Sequence, residues 1–224
     1  MIGSKDILHG ESERPRLVDV FLDIETIPSK DKPKAEDIKY PKNYTNRETI
    51  KKYQENKVDE EHRKQSLISH KGKIFCISFA IDDEKPVSVY NVDNEEQLIK
   101  DFEKLFKEKL KGNTTVRLIG FNIANFDLKW IYQRLWKYDI KQMGYLLPLR
   151  KGQYLIDLMY AFSLADYRDM VSMDNVAKFF GIEGKGDISG KDVYPMYLDK
   201  KYKEIVKYCE ADVNLTRKIY KKMV

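Results

Sequence analysis

The stretch LVDVFLDIETIP, residues 17–28, constrains this chain more than any other, because it is an apolar strand that carries two acids a core strand would not normally accept. Alternation puts Val18, Val20, Leu22 and Ile24 on one face and Phe21, Asp23 and Glu25 on the other. An ionised carboxylate costs several kcal/mol to bury unless it is paired, hydrogen-bonded or bound to metal. Two of them side by side near a strand's end call for a cation, so Asp23 and Glu25 read as metal ligands. Taken alone, the same letters are equally compatible with a strand that stops at Leu22 and a solvated loop that begins at Asp23.

With 224 residues and 42% hydrophobic composition the chain can bury one substantial core, and nothing in it marks a second globular unit. The expected organisation is a frayed or disordered arm over residues 1–16 and a single domain over 17–224, interrupted by a Lys-rich insertion at about 29–72. Its apolar runs are strand-sized, and the opening MIGSKDILHGESERPR is polar where a signal peptide needs an apolar core. A soluble, cytoplasmic protein with no membrane partner is the expectation. Cys76 and Cys209 each lie in an apolar stripe without CxxC or Cys/His spacing, which suits buried reduced thiols. The net charge of +5 is unevenly spread: residues 29–73 hold 13 Lys and Arg against 8 Asp and Glu, and the remainder balances at 28 against 28. A basic segment of that kind favours a polyanionic partner or is simply solvated.

In order along the chain, the insertion is long enough to suggest a lid, a binding loop or disorder, with a polar helix over 46–64. Tyr40, Tyr44 and Tyr53 within it are candidates for stacking on bases or for packing back on the domain. KIFCISFAI (73–81) and PVSVY (86–90) read as a hairpin around DDEK. Asn94 caps the next helix, with Gln97 where a capping box places it and Leu98, Ile99, Phe102, Leu105, Phe106 and Leu110 at helical spacing. TTVRLIGFN (114–122) is a strand, and Leu128, Ile131, Leu135 and Tyr138 define a helix after it. The first half of QYLIDLMYAF (153–162) reads as a strand and SMDNVAKFFG (172–181) as a short helix capped by Ser172. The glycines of 181–192 make a loop, since GxxxxGK[ST] is absent. The remainder, from Leu198 onward, is one long helix.

That helix repeats the oddity of the first strand. Ile205, Tyr208, Asp212, Leu215 and Ile219 share one stripe, and Tyr202, Val206, Cys209, Val213, Thr216 and Tyr220 an adjacent one, so Asp212 sits within an apolar surface with a phenol one turn before it. An Asp at the edge of a buried face paired with a lysine is the plainer reading. Asp127 opens the helix after the fourth strand, where an acid also complements the helix dipole. Together Asp23, Glu25, Asp127 and Asp212 are four acids at element ends, the supply that holds two divalent ions about 3.5 to 4 Å apart for in-line phosphoryl displacement. Oxygen-only ligation suits Mg²⁺ or Mn²⁺.

FLDIET, GFNIANFD and YCEAD resemble, in order and internal spacing, the three motifs of the DEDD superfamily of 3′-to-5′ exonucleases, which has a ribonuclease H-like fold. Within it, KGDISGKDVYPMYLDKKYKEIVKYCEADVNLTRKIY resembles the tail of the predicted exonucleases similar to the exonuclease domain of family B DNA polymerases. The superfamily divides by whether a His lies five residues, or a Tyr four residues, before the last Asp. Here position 207 is Lys and position 208 is Tyr, so the resemblance implies the tyrosine (DEDDy) class. It further implies that Asp23, Glu25 and Asp212 hold one metal, that Asp23 bridges to a second supported by Asp127, and that Tyr208 orients the attacking water. Thr26, Asn122, Asn125 and Phe126 resemble positions that contact the 3′-terminal nucleotide, and Asp157 is a candidate for supporting the ligands from behind.

The expected fold is an α/β domain with a central mixed five-stranded sheet, three antiparallel strands followed by parallel crossovers, and helices on both faces. The expected activity is two-metal 3′-to-5′ exonucleolysis of single-stranded nucleic acid, DNA before RNA. The residues left over do not accommodate a polymerase, so the chain acts alone or with a protein partner in replication or repair. The rivals are an RNA-trimming exonuclease, distinguished by contacts to the 2′-hydroxyl, and a nucleic-acid-binding module of the same fold that has lost its chemistry.

Overall fold

A computed structural model of the chain describes residues 15–110, 114–140, 147, 152–166, 168–184, 186 and 188–224. Residues 1–14 of the expected arm lie outside the described residues. Arg16 belongs instead to the first strand, β1 (Arg16–Ile27). With β2 (Lys73–Ile81), β3 (Val87–Tyr90), β4 (Thr114–Gly120) and β5 (Leu155–Asp157), it forms one sheet in the order β3-β2-β1-β4-β5. β1, β2 and β3 are antiparallel, and β4 and β5 are added parallel, which is the expected mixed sheet.

β1 is the middle strand, which explains its nearly continuous apolar run: a strand covered on both faces has no solvent side to make polar. Val18, Val20, Leu22 and Ile24 meet Leu98, Ile99, Phe102 and Phe106 of α2 (Glu95–Lys109) and Leu128, Ile131 and Leu135 of α3 (Asp127–Lys137). On the other face Phe21 meets Leu158 of α4 (Leu158–Phe162), Val176 and Ala177 of α5 (Met173–Phe179), and Val213, Leu215 and Ile219 of α7 (Tyr202–Met223). Asn94 does cap α2, accepting from Gln97 N at 3.0 Å, but the Gln97 side chain turns to Asp101 rather than back to the cap, so the reciprocal half of the box is missing. Among the described residues no helix is long and apolar enough to cross a membrane.

Two parts depart from expectation. β4 stops at Gly120, two residues early, and the glycine-rich loop ends sooner than 192 because α6 (Gly190–Leu198) begins there. Asp192 accepts from Ser189 N at 2.9 Å and Ser189 Oγ at 2.7 Å, which fixes the start of that helix. Its Val193 and Met196 pack against Ile205 and Cys209 of α7, which consequently starts at Tyr202 rather than at Leu198.

The insertion contains the polar helix expected over 46–64. It is built around α1 (Arg47–Lys64), capped by Asn46, which accepts from Glu48 N at 2.8 Å and Thr49 N at 3.1 Å. His62 Nε2 lies 2.8 Å from Ser29 O, and Ser29 Oγ donates to Gln65 Oε1 at 2.7 Å, so entry and exit are tied together. Several of its charges are spent internally: Lys57 pairs with Glu60, and Lys64 with Glu60 and Glu61. Tyr44 and Tyr53 meet edge to face with centroids 5.5 Å apart, leaving Tyr40 as the exposed one.

The exit is held from below by a buried charge network. Arg134 of α3 donates at 2.6 Å to Glu95 Oε1, Ser69 O and Gly72 O. Glu95 also accepts from Ile74 N and Tyr138 OH at 2.7 Å each. Both buried charges, Arg134 and Glu95, are thereby satisfied by named partners. Removing one member of such a buried pair leaves the other charge stranded, so Arg134→Ala should lower unfolding free energy by about 3–5 kcal/mol in urea titration. A loss below about 1 kcal/mol would show that the network does not anchor the segment.

Candidate active site

The site forms where the parallel strands end. β4 pairs with β1 from Arg16↔Thr114 to Phe21↔Ile119 and then turns away, while β1 runs on to Ile27. Gly120 permits the turn: a Cβ there would lie 2.5 Å from Ile123 Cβ. Past Phe21, β1 has lost β4 as a hydrogen-bonding neighbour, and a buried amide needs a replacement acceptor. Asp127 Oδ1 supplies it, accepting from Ile24 N at 3.0 Å. The first residue of α3 is thus fastened between Asp23 and Glu25.

Asp157, at the end of β5, shapes the intervening loop. Its carboxylate accepts from Asn122 N at 3.0 Å, Ala124 N at 3.1 Å and, as the cap of α4, Tyr160 N at 3.4 Å. Asn122 is held at φ +59°, a left-handed conformation that Asn tolerates better than most residues. Asn125 Nδ2 reaches Asn122 Oδ1 at 3.3 Å, and the Phe126 ring rests on Trp130 with centroids 5.9 Å apart. Asp157 therefore acts on the loop that carries Asn122, Asn125 and Phe126. Thr26 is buried and donates from Oγ1 to Ser66 O at 2.5 Å, facing the foot of the insertion.

Asp23 and Glu25 meet the thiol of Cys209 from α7, with one ligand atom of each lying within 4.8 Å of the others. Cys209 Sγ donates to Asp23 Oδ2 and Asp23 O, both at 3.4 Å. Burial first, and then the neighbouring Cys76 thiol, push Cys209 well above its ordinary pKa, so it stays an S–H donor rather than a thiolate ligand. The sequence offered Cys209 only as an ordinary buried thiol. The available signal was its place beside Tyr208 on the helix.

Tyr208 and Asp212 complete the group from α7, both buried and joined by a hydrogen bond from the phenol. Burial, followed by the charges of Asp212, Glu25 and Asp23, drives the phenol pKa far upward, keeping Tyr208 a protonated donor. Asp127 is pushed from 3.8 up to about 8, chiefly by desolvation, with the charges of Asp157 and Asp212 adding to it. This is the electrostatic signature of carboxylates gathered together out of water. The oxygen donors Asp23, Glu25, Asp127 and Asp212 fit hard divalent ions, Mg²⁺ or Mn²⁺, whose charge would offset that repulsion.

Residues 65–224 match the family described as a predicted 3′-5′ exonuclease related to the exonuclease domain of PolB. The chain belongs to this family. The structure of the family B DNA polymerase from the hyperthermophilic archaeon Pyrobaculum calidifontis is similar to it, with a TM-score of 0.57 and 17% identity, over 93% of this chain and 25% of the polymerase chain. At that identity the likeness is one of fold, and it agrees with the ribonuclease H-like sheet; the chain spans about a quarter of the polymerase's length. No curated protein sequence matches the chain. The family match begins at Gln65, so α1 lies outside it.

Asp127 gives a pH test of the acid cluster in this exonuclease-family protein. With its folded pKa raised and its unfolded pKa near 3.8, the group costs no stability below about pH 4, and an increasing amount as pH rises toward 8, where the unfolded chain alone ionises. In EDTA, Asp127→Asn should therefore melt higher than wild type at pH 7, by roughly 5 °C, with the gap closing by pH 4. Scanning calorimetry across that range is the check, and a gap independent of pH would remove the strain from Asp127.

Proposed function

We propose that this protein is a two-metal 3′-to-5′ exonuclease of the DEDDy type, releasing nucleoside 5′-monophosphates from the 3′ end of single-stranded nucleic acid, DNA before RNA. The observation that carries the reading is that Asp23 and Glu25 come together near the end of β1, with the Tyr208 phenol hydrogen-bonded to Asp212 and acted on by the charges of all three acids, and with Asp127 fastened to Ile24 N between Asp23 and Glu25, where the parallel strands end. Ligands of open α/β sheets bind at the carboxyl ends of their strands, which supports the placement.

Asp23, Glu25, Asp127 and Asp212 would hold the ions. When bound, the ions supply Lewis acidity toward the scissile phosphodiester and a lowered pKa for the attacking water. Tyr208, kept protonated, donates to Asp212 and orients the water rather than removing its proton. Cys209 fixes the Asp23 carboxylate from the protein side by donating to Oδ2. Asn122, Asn125 and Phe126, on the loop braced by Asp157, present amide groups and a ring face to the terminal nucleotide, and Thr26 flanks it on the strand side. The protein would act in replication or repair, alone or beside a partner.

The deciding experiment is a time course on 5′-labelled single-stranded DNA and RNA of matched sequence with Mg²⁺, Mn²⁺ or EDTA. Stepwise shortening with a metal and none in EDTA is expected, with DNA consumed faster. Cuts inside a circular single strand, or release from the 5′ end, would sink the reading, and faster loss of RNA would reassign the substrate.

Asp23→Ala and Asp212→Ala should each abolish digestion while remaining folded, because each removes an ion ligand and some carboxylate repulsion. Tyr208→Phe should lower turnover by roughly 10- to 1,000-fold and leave Mn²⁺ affinity by calorimetry nearly unaltered. Weakened Mn²⁺ binding with normal turnover at saturation would move Tyr208 out of the water-orienting role.

A further inference from the structure

Beside the acid cluster is a second feature that the chemistry above does not use. Thr26, the residue after Glu25, forms part of the wall of a cavity of about 320 Å³, whose other walls come from the end of α1, the turn at Gln65–Leu67 and the start of α6. That volume falls within the range of about 300–1,000 Å³ of small-ligand sites.

Its chemistry is specific. Arg63 and Lys191 line the cavity from different elements, and among the described residues neither forms an ion pair, while the one acid on the wall, Glu60, is paired with Lys57 and Lys64. Lys64, the third cation on the wall, is already held by Glu60 and Glu61 at 2.7 Å. Leu67 stands 69% exposed at the rim, available to a flat apolar surface. Tyr194 lines the opposite side, its ring fixed by stacking on Tyr197 at 6.3 Å and by the edge of His62 at 5.8 Å. Two cations outside any ion pair, a flat aromatic ring and an apolar rim suit a ligand that is anionic at one end and planar at the other.

We propose that this cavity is a nucleotide subsite for the single strand, with Arg63 and Lys191 taking its phosphates and Leu67 and Tyr194 taking a base, in a register beyond the nucleotide being removed. The proposal rests on the exonuclease reading. It assigns the inserted helix α1, which lies outside the matched family residues, a function in strand length preference. The insertion thus acts as a folded wall with one binding pocket, in place of a flexible basic lid.

The test compares wild type with the Arg63→Ala/Lys191→Ala double variant, by fluorescence anisotropy of labelled thymidine strands of two, four and eight nucleotides in Ca²⁺, at several salt concentrations. Both side chains project from exposed positions, and thermal melting verifies that the variant folds. The loss of affinity should grow with length, reaching about ten-fold on the octanucleotide, and the slope of log affinity against log salt should fall by about 0.7 for each phosphate released. Leu67→Ser, which leaves the charges intact, should weaken the octanucleotide without altering that slope. Equal affinities at every length, or one uniform loss that includes the dinucleotide, would overturn the subsite. With Mg²⁺, digestion by the wild type beside such a result would leave the exonuclease reading standing. A wild type that neither binds nor digests single strands would end both.

Discussion

A single hydrogen bond, from the Ile24 amide to Asp127 Oδ1, ties the whole site together. It exists because β1 outlasts β4, leaving a backbone donor at a place where the sheet can no longer satisfy it. The bond brings the start of α3 against the strand between Asp23 and Glu25, and an acid so placed is desolvated and repelled by its neighbours. The fold thus accepts a local electrostatic penalty at the one point where the sheet's geometry opens. Apolar packing on both faces of β1 offsets it, with Val20, Leu22 and Phe21 almost wholly buried.

The supporting contacts divide the labour. Asp157 braces the loop after β4 through two backbone amides, and Cys209 approaches Asp23 from α7. Cys76, opposite Glu25 across the β1–β2 ladder, packs behind Cys209. Neutral S–H groups suit this position because they donate weakly to a carboxylate without adding a positive charge that would compete with a cation. Farther back along β1, Arg117 of β4 grips Asp19 with two bonds of 2.5 and 2.8 Å. That pair keeps a necessary strand charge neutralised and apart from the cluster.

Asp23, Glu25 and Asp212 stood out because each violated a local rule, a carboxylate on an apolar strand or on the buried stripe of a helix, whereas Asp127 obeys one as a first-turn acid and stood out only beside the others. The mixed sheet was what the family resemblance implied, while periodicity marked the helices α2, α3 and α7 by their apolar stripes. What escaped was held by long-range contact. α1 was legible as a polar helix but its docking was not: it buries little more than His62, and its place depends on Ser29 and Gln65, far apart in sequence. α6 hid behind glycines and Pro195, and its start depends on the Ser189–Asp192 pair. Asp157 was a candidate support for the ligands, but its grip on Asn122 and Ala124 spans more than thirty positions and was not legible.

The feet of the insertion meet at Ser29 and Gln65, 36 positions apart in the chain and 2.7 Å apart in space. Just beyond, Gly72 has no spare room, since a Cβ there would lie 2.5 Å from Gln65 O and 2.8 Å from Ile27 O. A loop closed at such a clasp transmits none of its internal length to the sheet, and the entropy of closing it grows only logarithmically, by about 0.6 kcal/mol for each doubling. Between Ser29 and Gln65 the chain is therefore free to lengthen, shorten or exchange its cargo of residues while the framework around it remains the same.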